Sequence, residues 1–175
     1  MANSRVSLSN EELSISEIES YYRATEIALR SFYRETNPYF FEYNTNILQA
    51  ELDELIDELD KSTSFTILAA IEAHIRVDFL QRCYNKDKDK LSRKFRDLYK
   101  RKGSNVSFSE DILELWKDYA TNRSVVSELK SVFNFRHWLA HGRYWVAKTG
   151  RKYDLKSVLT LAIYAQTAMN IEMGA

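Results

Sequence analysis

One short run of the sequence, from Phe135 to Trp145, combines two histidines and two arginines with several aromatic residues. The preceding residues repeat apolar side chains at helical spacing, and continuing at about 100° per residue places Arg136 within that apolar stripe. A guanidinium partly removed from water needs a carboxylate partner or a bound anion. Gly142 ends the predicted helix and leaves His141 at its last turn. On a regular helix the two side chains diverge by about 140°, so they converge only if the helix ends or bends there, or if the long arginine reaches round.

Metal binding is a first interpretation of these histidines. His137 and His141 are four residues apart on one helical face, which is the spacing of a metal-binding pair. The zinc-protease pattern needs a glutamate directly after the first histidine, but Trp138 is there, and no cysteine or carboxylate cluster follows nearby. Cys83 is the only cysteine and lies in an apolar helical pattern, so we interpret it as a core residue of a protein in a reducing compartment. We therefore expect no metal and no cofactor.

An arginine and a histidine are better suited to phosphate chemistry than to metal binding. Arginine can hold a phosphodiester through two parallel hydrogen bonds and stabilise the added charge of a pentacoordinate transition state. Histidine can remove and return a proton near neutral pH. With the 2′-hydroxyl of RNA as internal nucleophile, such a pair could cleave RNA without a metal and leave a 2′,3′-cyclic phosphate.

The run Arg136-His137-Trp138-Leu139-Ala140-His141 resembles the signature of the HEPN superfamily: an arginine, a polar residue, three more residues and a histidine. The resemblance implies an all-α bundle that acts as a metal-independent endoribonuclease of toxin or phage-defence type. It also implies a homodimer that brings two motifs into one cleft, with RNA as substrate. An antitoxin or other regulatory protein that docks on the acidic residues 51–60 is a further interpretation, compatible with this one. By this resemblance Arg136 and His141 are catalytic and His137 is auxiliary.

Two questions stay open around this motif. Glu72, an acid in an apolar stripe of an earlier helix, is the expected partner of Arg136, and its alternative is an intrahelical pair with Arg76. The motif as a whole has an alternative too, in which Arg136 serves a core carboxylate or helix-end carbonyls. A catalytically silent module that binds a protein or a nucleotide through the same cleft would carry the same residues.

Charge is zero overall but strongly segregated along the chain. Residues 51–60 hold six acidic residues and no basic one, whereas residues 86–102 hold nine Lys or Arg against three Asp, a net charge of +6. The basic segment is either a solvated face or a track for an RNA backbone. The candidate RNA-binding residues are Arg93, Lys94 and Lys100 on this segment and Arg143, Lys148, Arg151 and Lys152 after the motif.

A length of 175 residues with one proline and four glycines predicts a single domain, 1–175, built from long helices. Without an apolar leader or a membrane-length apolar run, we expect it to be soluble and cytoplasmic. The predicted elements are a helix capped at Ser9 or Ser16 that runs to about Thr36, a surface helix 46–60, a central helix 64–84, a basic helix 87–102, a short helix capped by Ser109, the motif helix after Asn122, a hairpin or ordered loop 143–154, and a last helix from Asp154 to about Ile171.

Overall fold

The computed structural model describes residues 5–147, 149–171 and 173, and this part of the chain is helical with no β-strand. The helices are α1 (Ile15–Phe32), α2 (Thr45–Asn85), α3 (Lys90–Lys102), α4 (Leu113–Trp116), α5 (Arg123–Ala140) and α6 (Leu155–Met169). A π-helical turn, Phe108–Ile112, leads into α4, and short 3₁₀ turns occupy Pro38–Phe40 and Gly103–Asn105. The all-α prediction is confirmed. Within the described ranges, no helix is long and apolar enough to cross a membrane.

Helix α2 is continuous over 41 residues, so the prediction of two separate helices, 46–60 and 64–84, was wrong. The residues between them, 61–63, include neither proline nor glycine, and Ser62 Oγ donates to the carbonyl oxygen of Leu59 at 3.0 Å. Two hydroxyl groups just beyond them also bond within the helix. Ser64 Oγ donates to the carbonyl oxygen of Asp60 at 2.7 Å, and Thr66 Oγ1 donates to that of Ser62 at 2.9 Å. At 1.5 Å per residue the helix is about 60 Å long, more than a core of this size can cover.

The C-terminal half of α2 is the centre of the core, as predicted for residues 64–84. Its inward side chains Ile67, Leu68, Ile71 and Ile75 are fully buried. Helices α1, α3, α5 and α6 all pack on α2, and α5 also packs on α6. Cys83 is buried among them, which confirms its interpretation as a core residue.

The N-terminal half of α2 and the antiparallel α1 form a two-helix extension, which we call the arm. Its tip holds five aromatic residues in mutual contact, with Phe40 at the centre and ring centroids 5.0 to 5.2 Å from its neighbours. Phe40, Leu48 and Leu52 are buried here, outside the main core. The arm therefore has a small apolar cluster of its own.

Helix ends follow local chemistry, with some corrections. Ser14 caps α1 in a reciprocal box with Glu17, so the predicted caps at Ser9 and Ser16 were wrong. The short helix is capped by Ser107 and not by Ser109. Asn122 and Asp154 cap α5 and α6 as predicted. Two helices end earlier than predicted, α1 at Phe32 and α6 at Met169.

Candidate active site

Arg136 lies in the last two turns of α5 and contacts α2. Its Nη2 is 3.6 Å from Oε2 of Glu72, and its guanidinium lies over the ring of Phe65 at 5.3 Å from the centroid. The side chain is 32% exposed, yet its Nε is buried and has no hydrogen-bond partner. The structure thus brings Arg136 and Glu72 together, as the sequence predicted, and leaves one guanidinium donor unused.

Glu72 is shared between two arginines. Its Oε1 accepts a hydrogen bond from Nε of Arg76 at 2.8 Å, while Oε2 faces Arg136. The intrahelical pair and the contact with α5 therefore coexist, although the sequence presented them as alternatives. Arg76 in turn lies over the ring of Phe108 at 5.3 Å. Because the carboxylate already serves Arg76, it neutralises Arg136 only in part.

The two histidines of the motif contact each other at the end of α5. Their ring centroids are 4.2 Å apart, both side chains are exposed, and the ring of Trp145 lies 5.9 Å from His137 and 6.2 Å from His141. His141 is the C-cap, and its N–H donates to the carbonyl oxygen of His137 at 3.2 Å. The imidazoles are therefore open to a large ligand, with an indole ring beside them.

Gly142 ends α5 as predicted. Its φ of +74° lies in the left-handed region, where a side chain would be strained even though the space around its Cα is open. Arg143 follows with φ +59°, and its N–H donates to the carbonyl oxygen of Trp138 at 3.2 Å. The chain reverses here, which places the loop after the motif against the helix that precedes it.

Arg136 and the histidines occupy different sides of α5. Among the described residues, no hydrogen bond or ion pair joins Arg136 to His137 or His141. The helix stays regular up to Ala140, so the divergence of about 140° between positions 136 and 141 is kept. Arg136 faces α2, whereas the histidines face the exposed turn. In one copy of the chain, only a ligand that spans the edge of the helix could contact both.

The loop after the motif packs against α5 and contains no strand in its described part, 143–147 and 149–154. Trp138 Nε1 donates to the carbonyl oxygen of Trp145 at 2.6 Å. The Phe135 ring is stacked 5.7 Å from that of Trp138 and 5.8 Å from that of Tyr153. Of the two predicted forms, the ordered loop is the one observed.

Two arginines of this loop, predicted to bind RNA, are paired with acidic residues. Arg143 forms a bidentate ion pair with Glu58 of α2, at 2.6 and 3.0 Å, which raises the pKa of the guanidinium. Arg151 is paired with Glu128 of α5 and lies over the Tyr153 ring at 4.8 Å. Sequence reasoning missed Glu58, because an acidic run on an amphipathic helix is ordinarily solvent-facing. These pairs reduce the positive charge that the loop can offer to a phosphate.

The other predicted RNA contacts are dispersed. Lys152 is exposed, and Lys148 lies outside the described residues. On α3, Arg93, Lys94 and Lys100 are all exposed, and Lys94 Nζ lies 5.2 Å from the Tyr119 ring centroid.

The basic helix lies away from the motif along α2. Phe79 of α2 contacts Phe95 of α3 with ring centroids 5.0 Å apart, whereas Arg136 contacts Phe65. These two contact points on α2 are 14 residues apart, or roughly 20 Å at 1.5 Å per residue. An RNA strand of several nucleotides could reach both places.

A groove of 710 Å³ lies between α2, α5 and the loop, but on the other side of α5 from Arg136. Its walls include Asp57 and Asp60 of α2, Phe135 and Trp138 of α5, and Lys152. The predicted site residues Glu72, Arg136, His137 and His141 do not line it. The motif therefore belongs to an open surface and not to this groove.

A metal ion at the end of α5 would find two histidine ligands, His137 and His141. Within the part of the chain that the structure describes, no group of three or more His, Cys, Asp or Glu is arranged to hold a metal ion.

Comparison of the chain with protein-family models, with curated proteins and with solved structures found no match.

Proposed function

We propose that this protein is a metal-independent endoribonuclease of the HEPN type, with Arg136 and His141 as its catalytic residues. The observation that carries the proposal is the state of Arg136. Its side chain is 32% exposed, and the one carboxylate that contacts it among the described residues, at 3.6 Å, is shared with Arg76. A guanidinium that stays partly exposed and only partly neutralised can bind a phosphate oxygen through its terminal amino groups.

The chemistry follows from the residue types. Arg136 would hold a non-bridging phosphate oxygen and stabilise the charge that grows in the transition state. A histidine would take the proton of the 2′-hydroxyl as its oxygen bonds to phosphorus. The bond to the 5′-oxygen would break, and that oxygen would receive a proton. The products are a 2′,3′-cyclic phosphate and a 5′-hydroxyl end.

The exposed imidazoles fit the proton-transfer roles. His141 is the principal candidate, and His137, with its ring 4.2 Å away, is auxiliary. Acid and base act at opposite ends of the scissile bond, so the proposal assigns the second role to the same motif of a second copy. Glu72 is a positioning residue here, because it holds the guanidinium of Arg136 without reaching the reacting atoms.

The biological setting of the proposal comes from the motif resemblance. It comprises RNA as substrate, a homodimer, and a role as toxin or phage-defence nuclease under a cognate antitoxin or regulatory protein. The cytoplasmic location is proposed instead from the single cysteine, Cys83, which is buried and free.

The test is RNA cleavage by purified protein in excess EDTA, with analysis of the product ends. Arg136→Ala and His141→Ala should each abolish cleavage while the helical content stays unchanged. His74→Ala is the matched control, because His74 bonds the carbonyl oxygen of Leu13 at 3.1 Å and lies about 200° around α2 from Glu72. Retained cleavage in either motif variant, or loss of wild-type cleavage in EDTA, would refute the proposal.

A second candidate is a silent module that binds a nucleotide or a protein through the same surface. The lack of contact between Arg136 and the histidines, among the described residues, favours it. RNA binding that depends on Arg136, with no cleavage product at any pH, would identify this alternative.

A further inference from the structure

A pocket of 460 Å³ lies where the end of α2 meets α3 and the segment that precedes α1. This volume is within the range of small-molecule sites, about 300–1,000 Å³. Four of the lining residues are basic, and the lining as described includes no acidic residue. We call it the basic pocket. Its basic residues are Arg5 before α1, Lys86 at the end of α2, and Arg96 and Lys100 of α3, and its other lining residues are Cys83, Tyr84 and Tyr99.

The four cations of the basic pocket are not neutralised. None of them forms an ion pair within the described part of the chain, although neighbouring cations do. Lys102, two residues after Lys100, pairs with Asp111, and Arg82 of α2 pairs with Asp78. Four like charges around one small volume repel one another, and a bound anion relieves that repulsion.

Helix ends explain only two of these cations. Lys86 is the C-cap of α2 and Lys100 lies in the last turn of α3, where the helix dipole favours positive charge. Arg96 lies in the middle of α3 and is half-buried, and its Nη1 donates to the backbone carbonyl oxygen of Asp87. A half-buried guanidinium without a carboxylate partner favours a bound anion.

Arg5 is held at the basic pocket by contacts with Tyr84. Its guanidinium lies over the Tyr84 ring at 5.2 Å from the centroid, and the N–H of Val6 donates to the Tyr84 hydroxyl at 2.9 Å. Because this hydroxyl accepts from Val6, its own proton can be donated to a ligand. The segment before α1 thus places a third wall and a further cation at the pocket.

A chain of phosphates matches this lining better than a single phosphodiester does. An internal phosphodiester carries one negative charge, whereas a terminal phosphate carries about 1.5 to 2 at neutral pH, and each further phosphate adds to that. Arginine holds phosphate oxygens through parallel hydrogen bonds, and lysine supplies a point charge. In RNA, a triphosphate is carried at the 5′ end.

The basic pocket is connected to the motif along α2. A cavity of 260 Å³ lies between Arg76 and Tyr99, and Tyr99 also lines the basic pocket. The lining of this cavity as described includes no acidic residue. Arg76 bonds Glu72, and Glu72 contacts Arg136. A row of contacts therefore leads from the motif to the pocket.

The motif and the basic pocket also lie on one side of α2. Arg136 contacts the helix at Phe65, and Cys83 lines the pocket. These two positions are 18 residues apart, which on a regular helix is five full turns and about 27 Å. A strand of several nucleotides covers that distance.

We propose that the basic pocket binds the 5′-triphosphate end of an RNA strand whose following nucleotides run along α2 to the motif. The proposal rests on the proposed ribonuclease for the role of the strand as substrate, whereas the preference for a chain of phosphates does not depend on it. A strand held at its 5′ end presents a phosphodiester to Arg136 and His141 at a constant number of nucleotides from that end.

The first experiment compares two strands of one sequence, one with a 5′-triphosphate and one with a 5′-hydroxyl. Every 2′-hydroxyl is methylated, so that the strands cannot be cleaved by 2′-hydroxyl attack. Fluorescence anisotropy of 3′-labelled strands in excess EDTA should give a dissociation constant at least about 10-fold lower for the triphosphate strand. The ratio of the two constants is the quantity of interest, because it cancels the general attraction of RNA to a basic surface.

Paired variants test which residues produce this ratio. Arg5→Gln combined with Lys100→Gln should bring the ratio close to 1, and both side chains are exposed, so the fold should be kept. Arg93→Gln combined with Lys94→Gln is the matched control, because it removes an exposed arginine and an exposed lysine of α3 that do not line the pocket. The control should weaken both strands alike and keep the ratio.

ATP is the second probe, since it carries the same phosphates without the RNA chain. It should displace the triphosphate strand only at much higher concentration, because it makes no contacts along α2. ATP binding as tight as that of the strand would assign the basic pocket to free nucleotides and overturn its role as a site for RNA ends.

The last experiment uses unmethylated strands and the position of the cut. Nucleotides added directly after the 5′-triphosphate should shift the cut by the number added. A cut that stays at the same sequence overturns the path along α2.

The outcomes separate this proposal from the ribonuclease. Equal affinity for the two strands, or a ratio that the Arg5 and Lys100 variant leaves unchanged, overturns the pocket whether or not RNA is cleaved. Cleavage that depends on Arg136 and His141 would then keep the ribonuclease. A ratio that behaves as expected, with no cleavage of any strand, would keep the pocket and refute the ribonuclease.

Discussion

Replacing Arg136 with methionine separates a structural role of this arginine from a role in binding an anion. Methionine keeps an unbranched apolar side chain that can pack on Phe65, and it removes the guanidinium. If the arginine exists to hold α5 on α2, the fold should depend on it. If it exists to bind phosphate, the fold should not.

The contacts of Arg136 give the change in the free energy of unfolding that is expected for Arg136→Met. Loss of the ion pair with Glu72, at 3.6 Å between partly exposed groups, should cost at most about 1 kcal/mol. Loss of the contact with the Phe65 ring should cost about 0.5–1 kcal/mol. Removal of a buried Nε without a partner should stabilise the folded state by about 1–3 kcal/mol. Glu72 keeps its hydrogen bond from Arg76. The free energy of unfolding of Arg136→Met should therefore fall no more than about 1 kcal/mol below that of the wild type.

Arg82→Met is the matched control. Arg82 of α2, like Arg136, pairs with an acid and lies over an aromatic ring. Its acid is Asp78, one turn earlier in the same helix, and its ring is that of Trp116, at 5.3 Å. Its Nε, however, donates to both oxygens of Asp78 at 2.8 Å. Burial already raises the pKa of Asp78, against the lowering effect of Arg82. Loss of this partner should cost about 2–3 kcal/mol, somewhat less than for a fully buried pair.

Urea unfolding followed by circular dichroism measures both variants, with equal slopes as the check that the denatured states are comparable. RNA cleavage is measured on the same samples. We expect a stable but inactive Arg136→Met protein. A loss of more than about 2 kcal/mol, comparable with the control, would refute it and identify Arg136 as a structural residue.

Two further predictions concern the basic helix and a helix cap. Reversing Arg93, Lys94 and Lys100 to glutamate should weaken RNA binding and flatten its salt dependence in filter-binding titrations. Cleavage of bound RNA should change much less. An unchanged salt slope would move the RNA path away from α3. Asp154→Ala should lower the free energy of unfolding by about 1 kcal/mol at pH 7. Hydrogen bonds from Ser157 lower the pKa of Asp154 in the folded state, so its contribution is present above the unfolded pKa and is lost as pH falls through the folded one. The difference between Asp154→Ala and wild type should accordingly vanish in acid, and a difference that persists there would contradict the assignment.

Local chemistry explains which elements could be predicted. Asn122 and Asp154 accept hydrogen bonds from residues two and three positions further on, and Gly142 relieves a local backbone conformation. The buried stripe of α2 follows from its 3.6-residue period. Errors arose where weak local signals competed, as at Ser14, Ser107 and the polar residues 61–63, where packing of α2 favoured one long helix.

The motif itself was visible in the sequence, because an arginine in an apolar stripe and a histidine before a glycine are patterns of neighbouring residues. The sequence by itself determined the helical class, the end of α5 and the pair of histidines one turn apart. Only the tertiary structure decided that Glu72 is divided between two arginines and that Arg143 is held by Glu58. Residues 72 and 136, or 58 and 143, meet only after α5 has packed on α2, and the crossing of two helices depends on the shape of the whole core and not on any local run of residues.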